Sequence, residues 1–193
     1  MTTAVPIAWI VARAAGLVAF GLLTLSVWLG LSMSTRLLPP KRTKRLLGLH
    51  RTLAWMGLWM VGLHVGAILA DPVLHFGALG VLVPGAAPYK PVAVALGVVA
   101  GWLTLALAAS FNARRWIGQK GWRRLHYATF GAFWLALGHA LLVGTDLKGF
   151  GGPVTAILAA APVLWLSFYR LLTPRQAPAS RPATPVPAAA AAG

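Results

Sequence analysis

The chain has 193 residues, 59% of them hydrophobic and only 10% charged, with a net charge of +15 and a mean hydropathy of +0.76. That balance excludes a soluble globular domain and predicts an integral membrane protein. The basic residues fall between apolar stretches rather than on one soluble face, which argues against nucleic-acid binding. There is no cysteine, which removes disulfides, iron–sulfur clusters, thiol catalysis and covalent haem attachment through Cys-x-x-Cys-His. There is also no glutamate, so paired-carboxylate acid–base chemistry and proton pumping through buried acids have no residues to work with.

Apolar runs of spanning length predict an all-α bundle of about five transmembrane helices, together forming one membrane domain over 1–172. The first, over 6–33, has no Lys or Arg before Arg13 and is too long for a secretory signal. Trp9 and Trp28 are 19 residues apart on it, about 28 Å, the spacing of the two interfacial belts. Pro39-Pro40 separates it from the second, over 43–70, which Asp71-Pro72 ends. The third (91–112) and fifth (153–172) have Pro91 and Pro153 in their first turns, while Gly144 stops the fourth (122–143). From 173 to 193 the composition is Pro, Ala and Ser, which cannot bury a core and predicts a disordered cytoplasmic tail.

Orientation follows from charge. Arg36, Lys41, Arg42, Lys44, Arg45 and Arg51 flank the first loop; Arg114, Arg115, Lys120, Arg123 and Arg124 the third; Arg170, Arg175 and Arg181 the C-terminal end. Lys90, Lys148 and both acids, Asp71 and Asp146, fall in the opposite loops. The positive-inside rule then puts the N-terminus outside and the C-terminus in the cytoplasm, as expected of a multi-pass protein of a bacterial plasma membrane.

Four of the five histidines lie as pairs in two of these helices, His50 with His64 and His126 with His139. Imidazoles are costly in hydrocarbon and mark function there. The fourteen- and thirteen-residue spacings correspond to about 21 and 20 Å of helix, so two parallel helices can hold one cofactor near each membrane face. His50 would pair with His126 toward the inside, and His64 with His139 toward the outside. Fourteen residues return to within about 40° of one helix face, but thirteen leave about 140°. A distortion at Gly131 or Gly138, helix tilt or different cofactor azimuths would have to reconcile the second pair. Gly48, Gly62, Gly66 and Gly138 lie beside the histidines, where small residues admit a flat macrocycle, although glycine also serves ordinary helix packing, as expected at Gly97 and Gly101. A zinc or binuclear site would need ligands three or four residues apart, often with carboxylates, and no such cluster is present.

Leu49-His50-Arg51, Gly62-Leu63-His64 and Arg124-Leu125-His126 with Gly138-His139 resemble the transmembrane haem domain of the ferric reductase-like superfamily. That superfamily includes ferric reductases, NADPH oxidases and the haem subunit of a bacterial periplasmic methionine sulfoxide reductase system. The resemblance covers nearly all of the membrane part and implies one or two bis-histidine b-type haems between the second and fourth helices. His50 and His126 would bind the inner haem iron and His64 and His139 the outer one, with the fourteen and thirteen spacings expected of the family. No Gly-x-Gly-x-x-Gly strand-turn-helix for a nicotinamide or flavin domain is found, so flavin or quinone would act only through a partner.

The expected function is single-electron transfer across the membrane, from a cytoplasmic-side flavoprotein or quinone to ferric iron, oxygen or a periplasmic enzyme on the outside. One alternative keeps the haem but makes the chain a subunit serving a separate periplasmic oxidoreductase. Another is a haem-free scaffold whose histidines only hydrogen-bond between helices. Arg13, in the outer half of the first helix, is a candidate partner for an outer haem propionate, with snorkelling to lipid phosphate as the alternative. Arg51, Arg123 and Arg124 are weighed for the inner haem against their topological role. His75 is read as an exposed loop residue, with outer metal binding as its alternative, and Trp55, Trp59, Trp102 and Trp134 are assigned to packing.

Overall fold

The computed structural model describes residues 7–35, 39–73, 75–145 and 149–173. Arg36, Asp146, Lys148, Arg175, Arg181 and the tail from 174 onward, on which part of the charge and tail expectations rest, lie outside them. Six helices follow one another: α1 (Ile7–Ser34), α2 (Pro40–Ala70), α3 (Ala78–Leu82), α4 (Pro91–His126), α5 (Ala128–Val143) and α6 (Gly151–Leu172). No strand occurs among the described residues.

Among the described residues four stretches are long and apolar enough to cross a membrane: Ile7–Ser34, Lys41–Ala70, Pro91–Val143 and Gly151–Leu172. The sequence suggested five, and the difference lies in the third. Its 53 residues run through α4 and α5; a straight helix of that length would reach about 80 Å, more than twice a hydrocarbon core. It is not straight. Gly118 takes φ 70°, ψ 164°, a left-handed backbone that suits glycine, and breaks α4. Beyond it the chain turns back, so that His139 of α5 meets Ala93 and Gly97 in the first turns of α4. The stretch is two antiparallel legs joined at a glycine.

Local signals account for several boundaries. Pro40 and Pro91 occupy first-turn positions, where a missing N–H costs no helical bond, and Asp71 and Gly144 follow the last residues of α2 and α5. The α1–α2 pair packs through small residues. Ala12, Ala15 and Ala19 are buried on α1, and a Cβ on Gly57 of α2 would come within 2.7 Å of Leu23 Cγ. Without a hydrophobic drive between helices in lipid, such close backbone approach is what dispersion needs. A second core of Leu31, Phe133, Leu137, Ala159, Val163 and Leu166 joins α1, α5 and α6. Trp28 packs against this core, and its indole N–H donates to Ala159 O at 3.2 Å. At the end opposite the basic loops, α3 and its flanking turns pack Phe76, Val81 and Ala87 on Val94, against Val65 and Val143. Both histidine pairs lie between this cap and the basic end.

Candidate functional site

The second leg of Pro91–Val143 starts from the same end of the bundle as α2, so α2 and α5 run parallel. His50 and His126 face each other with ring centroids 6.3 Å apart and planes at 72°. His64 and His139 do the same at 6.3 Å and 80°. The depth pairing read from the spacings is therefore present in the fold. The backbones behind the outer pair stay apart: no Cα of α2 comes within 8 Å of a Cα of α5. Helices in direct packing contact run 8 to 10 Å apart between axes, so imidazoles bridge a wider space.

The helix between His126 and His139 departs from α geometry at Tyr127, not at Gly131 or Gly138. The helix is interrupted there, between His126 at the end of α4 and Ala128 at the start of α5. Tyr127 N–H donates to Arg124 O, and Phe130 N–H to Tyr127 O, both at 3.1 Å and both three residues back. This tightening adds about 20° per residue over an α-helix, so about three such residues recover about 60° of the roughly 140° by which the thirteen-residue spacing misses a common face. Gly131 has nothing near its missing side chain, and Gly138 packs on Leu96.

Three of the four imidazoles are held in one repeated way. The Nδ1–H of His64 donates to Ala12 O at 2.7 Å, that of His50 to Ser26 O at 2.8 Å, and that of His139 to Ala93 O at 2.9 Å. Four residues beyond each carbonyl stands a glycine: Gly16, Gly30 and Gly97. In an α-helix that carbonyl already accepts the N–H of the residue four on, so a side chain there would shield it. Glycine leaves it open to a ring from the neighbouring helix. A Cβ would fall 2.9 Å from His64 Nδ1 at Gly16, 2.6 Å from His139 Nδ1 at Gly97, and 3.4 Å from His50 Cε1 at Gly30. Ser26 adds a further tie, its hydroxyl lying 2.9 Å from His50 Nδ1 and donating to His50 O at 3.1 Å. With the proton on Nδ1, the Nε2 lone pair of each ring remains available.

His126 is held differently. Its Nδ1 is buried without a hydrogen-bond partner, and its ring stacks on Trp122 at 5.0 Å and 27°. Trp122 contacts Phe111 edge-on at 6.3 Å. Arg51 and Arg114 cover Phe111 at 4.9 and 5.2 Å. The inner pair thus connects to the basic surface through an aromatic and guanidinium cluster.

One of the glycines singled out from sequence needs correcting. Gly48, Gly62 and Gly66 face open space, with nothing within 4 Å of a built Cβ, so the correction falls on Gly97 alone, which was assigned to ordinary packing and seats His139. Gly16, Gly30, Ser26 and Trp122 were not recognised. A small residue followed four positions later by glycine, as in Ala12/Gly16, Ser26/Gly30 and Ala93/Gly97, was the available signal. Arg13 lies next to Ala12 with its guanidinium 5.4 Å over Trp9, Arg123 and Arg124 are exposed, and His75 is exposed with its Nδ1–H donating to Val73 O at 2.8 Å. No group of three or more His, Cys, Asp or Glu able to hold a metal ion occurs among the described residues. Compared with known proteins, the chain matches no family model, no curated sequence and no solved structure.

Proposed function

We propose that this chain is a multi-pass protein of the bacterial plasma membrane that holds two b-type haems and passes single electrons from a cytoplasmic-side donor to an outer-side acceptor, in the manner of the ferric reductase-like superfamily. The observation carrying it is the equal 6.3 Å separation of the two histidine pairs. Collinear imidazoles at about 2.0 Å from one metal ion, each nitrogen about 1.1 Å from its ring centre, put the centroids about 6.2 Å apart. Two histidines per site, with no third such ligand grouped with them among the described residues, suit a macrocycle that brings its own nitrogens.

The tethering supports the same conclusion. Metal-bound histidines characteristically donate their other ring N–H to a carbonyl, which fixes tautomer and ring angle. His50, His64 and His139 each do so. A haem-free scaffold would use the facing rings as hydrogen-bond partners, but centroids 6.3 Å apart keep ring nitrogens at least about 4 Å from one another, beyond hydrogen bonding.

Haem, when bound, supplies a one-electron couple whose potential follows its ligands and surroundings. The chain's own residues supply position and field. Ala12, Ser26 and Ala93 orient the ligands, and Trp122 packs the fourth. Arg13, beside Ala12, is the candidate for an outer propionate, and Arg51 for an inner one. Lys41, Arg42, Arg115 and Lys120 are exposed at the end nearest His50 and His126 and would draw in an acidic donor or one at an anionic membrane surface. Either ferric iron, oxygen or a periplasmic enzyme would receive the electron at the opposite end. The test is the absorbance spectrum of protein purified in detergent after expression with ample haem. A low-spin b-type spectrum that responds to dithionite is expected, and haem content near zero would overturn the proposal.

A further inference from the structure

At the basic end, α1, α5 and α6 leave a groove of about 670 Å³. Its floor is apolar, formed by Leu31, Phe130, Trp134 and Leu164, and Arg170 and Tyr127 stand at its mouth. Trp134 and Leu164 are 41% and 44% exposed, so the floor is open along the bundle's flank. Arg170 Nη2 donates to Tyr127 Oη at 2.7 Å, and Nη1 points at Ser34 Oγ at 3.5 Å. These partners are neutral. The one carboxylate among the described residues, Asp71, lies at the opposite end, where it caps Val73 N–H at 2.8 Å. A guanidinium with five donors therefore sits at an apolar groove with no carboxylate beside it among the described residues.

We infer that this groove binds one anionic phospholipid, its phosphate on Arg170 and Tyr127 and an acyl chain along Phe130, Trp134 and Leu164. Charge complementarity carries the choice of occupant: a fork of N–H donors and a phenol hydroxyl match phosphate oxygens, and the floor below them is apolar. Basic pockets between helices on the cytoplasmic side are the expected setting for such headgroups. A quinol would need a proton acceptor, and neither carboxylate nor imidazole lines the groove. The inference rests on the membrane placement of the bundle and is independent of haem.

The experiment compares the full chain in detergent micelles doped with phosphatidylglycerol or with phosphatidylcholine of the same acyl chains, counting retained lipid by native mass spectrometry. One phosphatidylglycerol per chain is expected, and Arg170→Gln should weaken its retention about fivefold while leaving phosphatidylcholine unchanged. Ser167→Phe, which keeps the guanidinium but fills the groove, should reduce retention as well, so misfolding of either variant alone does not decide the matter. Equal retention of the two lipids would overturn the inference. So would protection against thermal unfolding by inorganic phosphate equal to that by phosphatidylglycerol, or displacement of the lipid by a quinone. Haem content measured on the same samples reports separately on the proposed function.

Discussion

Gly97 and His139 form the tightest glycine seat among the described residues: a Cβ added to the glycine would stand 2.6 Å from the imidazole Nδ1, 2.7 Å from Cε1 and 2.8 Å from Cγ. The ring lies flat against the helix backbone there, with its Nδ1–H on Ala93 O. Because the same device recurs at Gly16 and Gly30 with looser fits, the three positions form a graded series. Gly97→Ala should displace His139 and cost about 1 to 3 kcal/mol, the range for overpacking a filled site. Gly16→Ala should act in the same direction but less, and Gly30→Ala, at ordinary contact distance, should be nearly silent. Thermal unfolding together with haem retention checks the order. A larger effect at Gly30 than at Gly97 would refute the seating account.

Under the proposed function, His50, His64, His126 and His139 should separate by depth and not by helix. His64→Ala and His139→Ala are each expected to remove the same spectral component, about half of the haem, and His50→Ala and His126→Ala the other. Redox titration of each variant, read in the α-band, makes the assignment. Loss of one common component from His50→Ala and His64→Ala would break the pairing.

Ring planes 72° and 80° apart make a second spectroscopic prediction. Parallel imidazoles donate into one iron d orbital and split the pair, whereas perpendicular ones donate into both and leave them nearly degenerate. Oxidised protein should therefore give strongly anisotropic low-spin electron paramagnetic resonance signals from both sites. The notches at Ala12/Gly16 and Ala93/Gly97 fix the outer rings, so Gly97→Ala should shift the outer signal while the inner one stays. Ordinary rhombic spectra from both sites would contradict the observed planes.

Much of this site was readable before any coordinates because hydropathy and histidine spacing act along one helix. Fourteen residues on α2 set the separation of His50 and His64 whatever surrounds them. The seats were not readable in the same way. Gly16, Gly30 and Gly97 matter only through rings arriving from other helices, and the small residue four positions before each is shared by Gly101, which follows Gly97 and has nothing near its missing side chain. The interruption at Tyr127 was also hidden, since Tyr127 breaks no propensity rule, whereas Gly131 and Gly138, which do, stay helical. The Gly118 break has a local cause, the left-handed backbone that glycine tolerates, yet its consequence, two antiparallel legs, is a tertiary one.

The final prediction concerns dependence on a donor. Trp122 stacks on His126 and leads through Phe111 to Arg51 and Arg114, so the inner pair communicates with the basic surface. No dinucleotide-binding strand-turn-helix exists among the described residues, all of whose regular structure is helical. Haem-loaded chain in oriented proteoliposomes should therefore ignore NADPH added at the basic face, and reduce trapped ferric chelate once a flavin reductase or a reduced quinone is supplied there. Electrostatic attraction sets how fast an acidic donor arrives, so the rate with a flavin reductase should fall as salt is raised, while the rate with a membrane-dissolved quinol should change little. Arg115→Gln with Lys120→Gln should reduce the salt-sensitive rate several-fold and leave dithionite reduction intact. Rapid reduction by NADPH with the chain alone would sink the dependence on a donor, and a salt-independent flavin-reductase rate would remove the basic surface from its path.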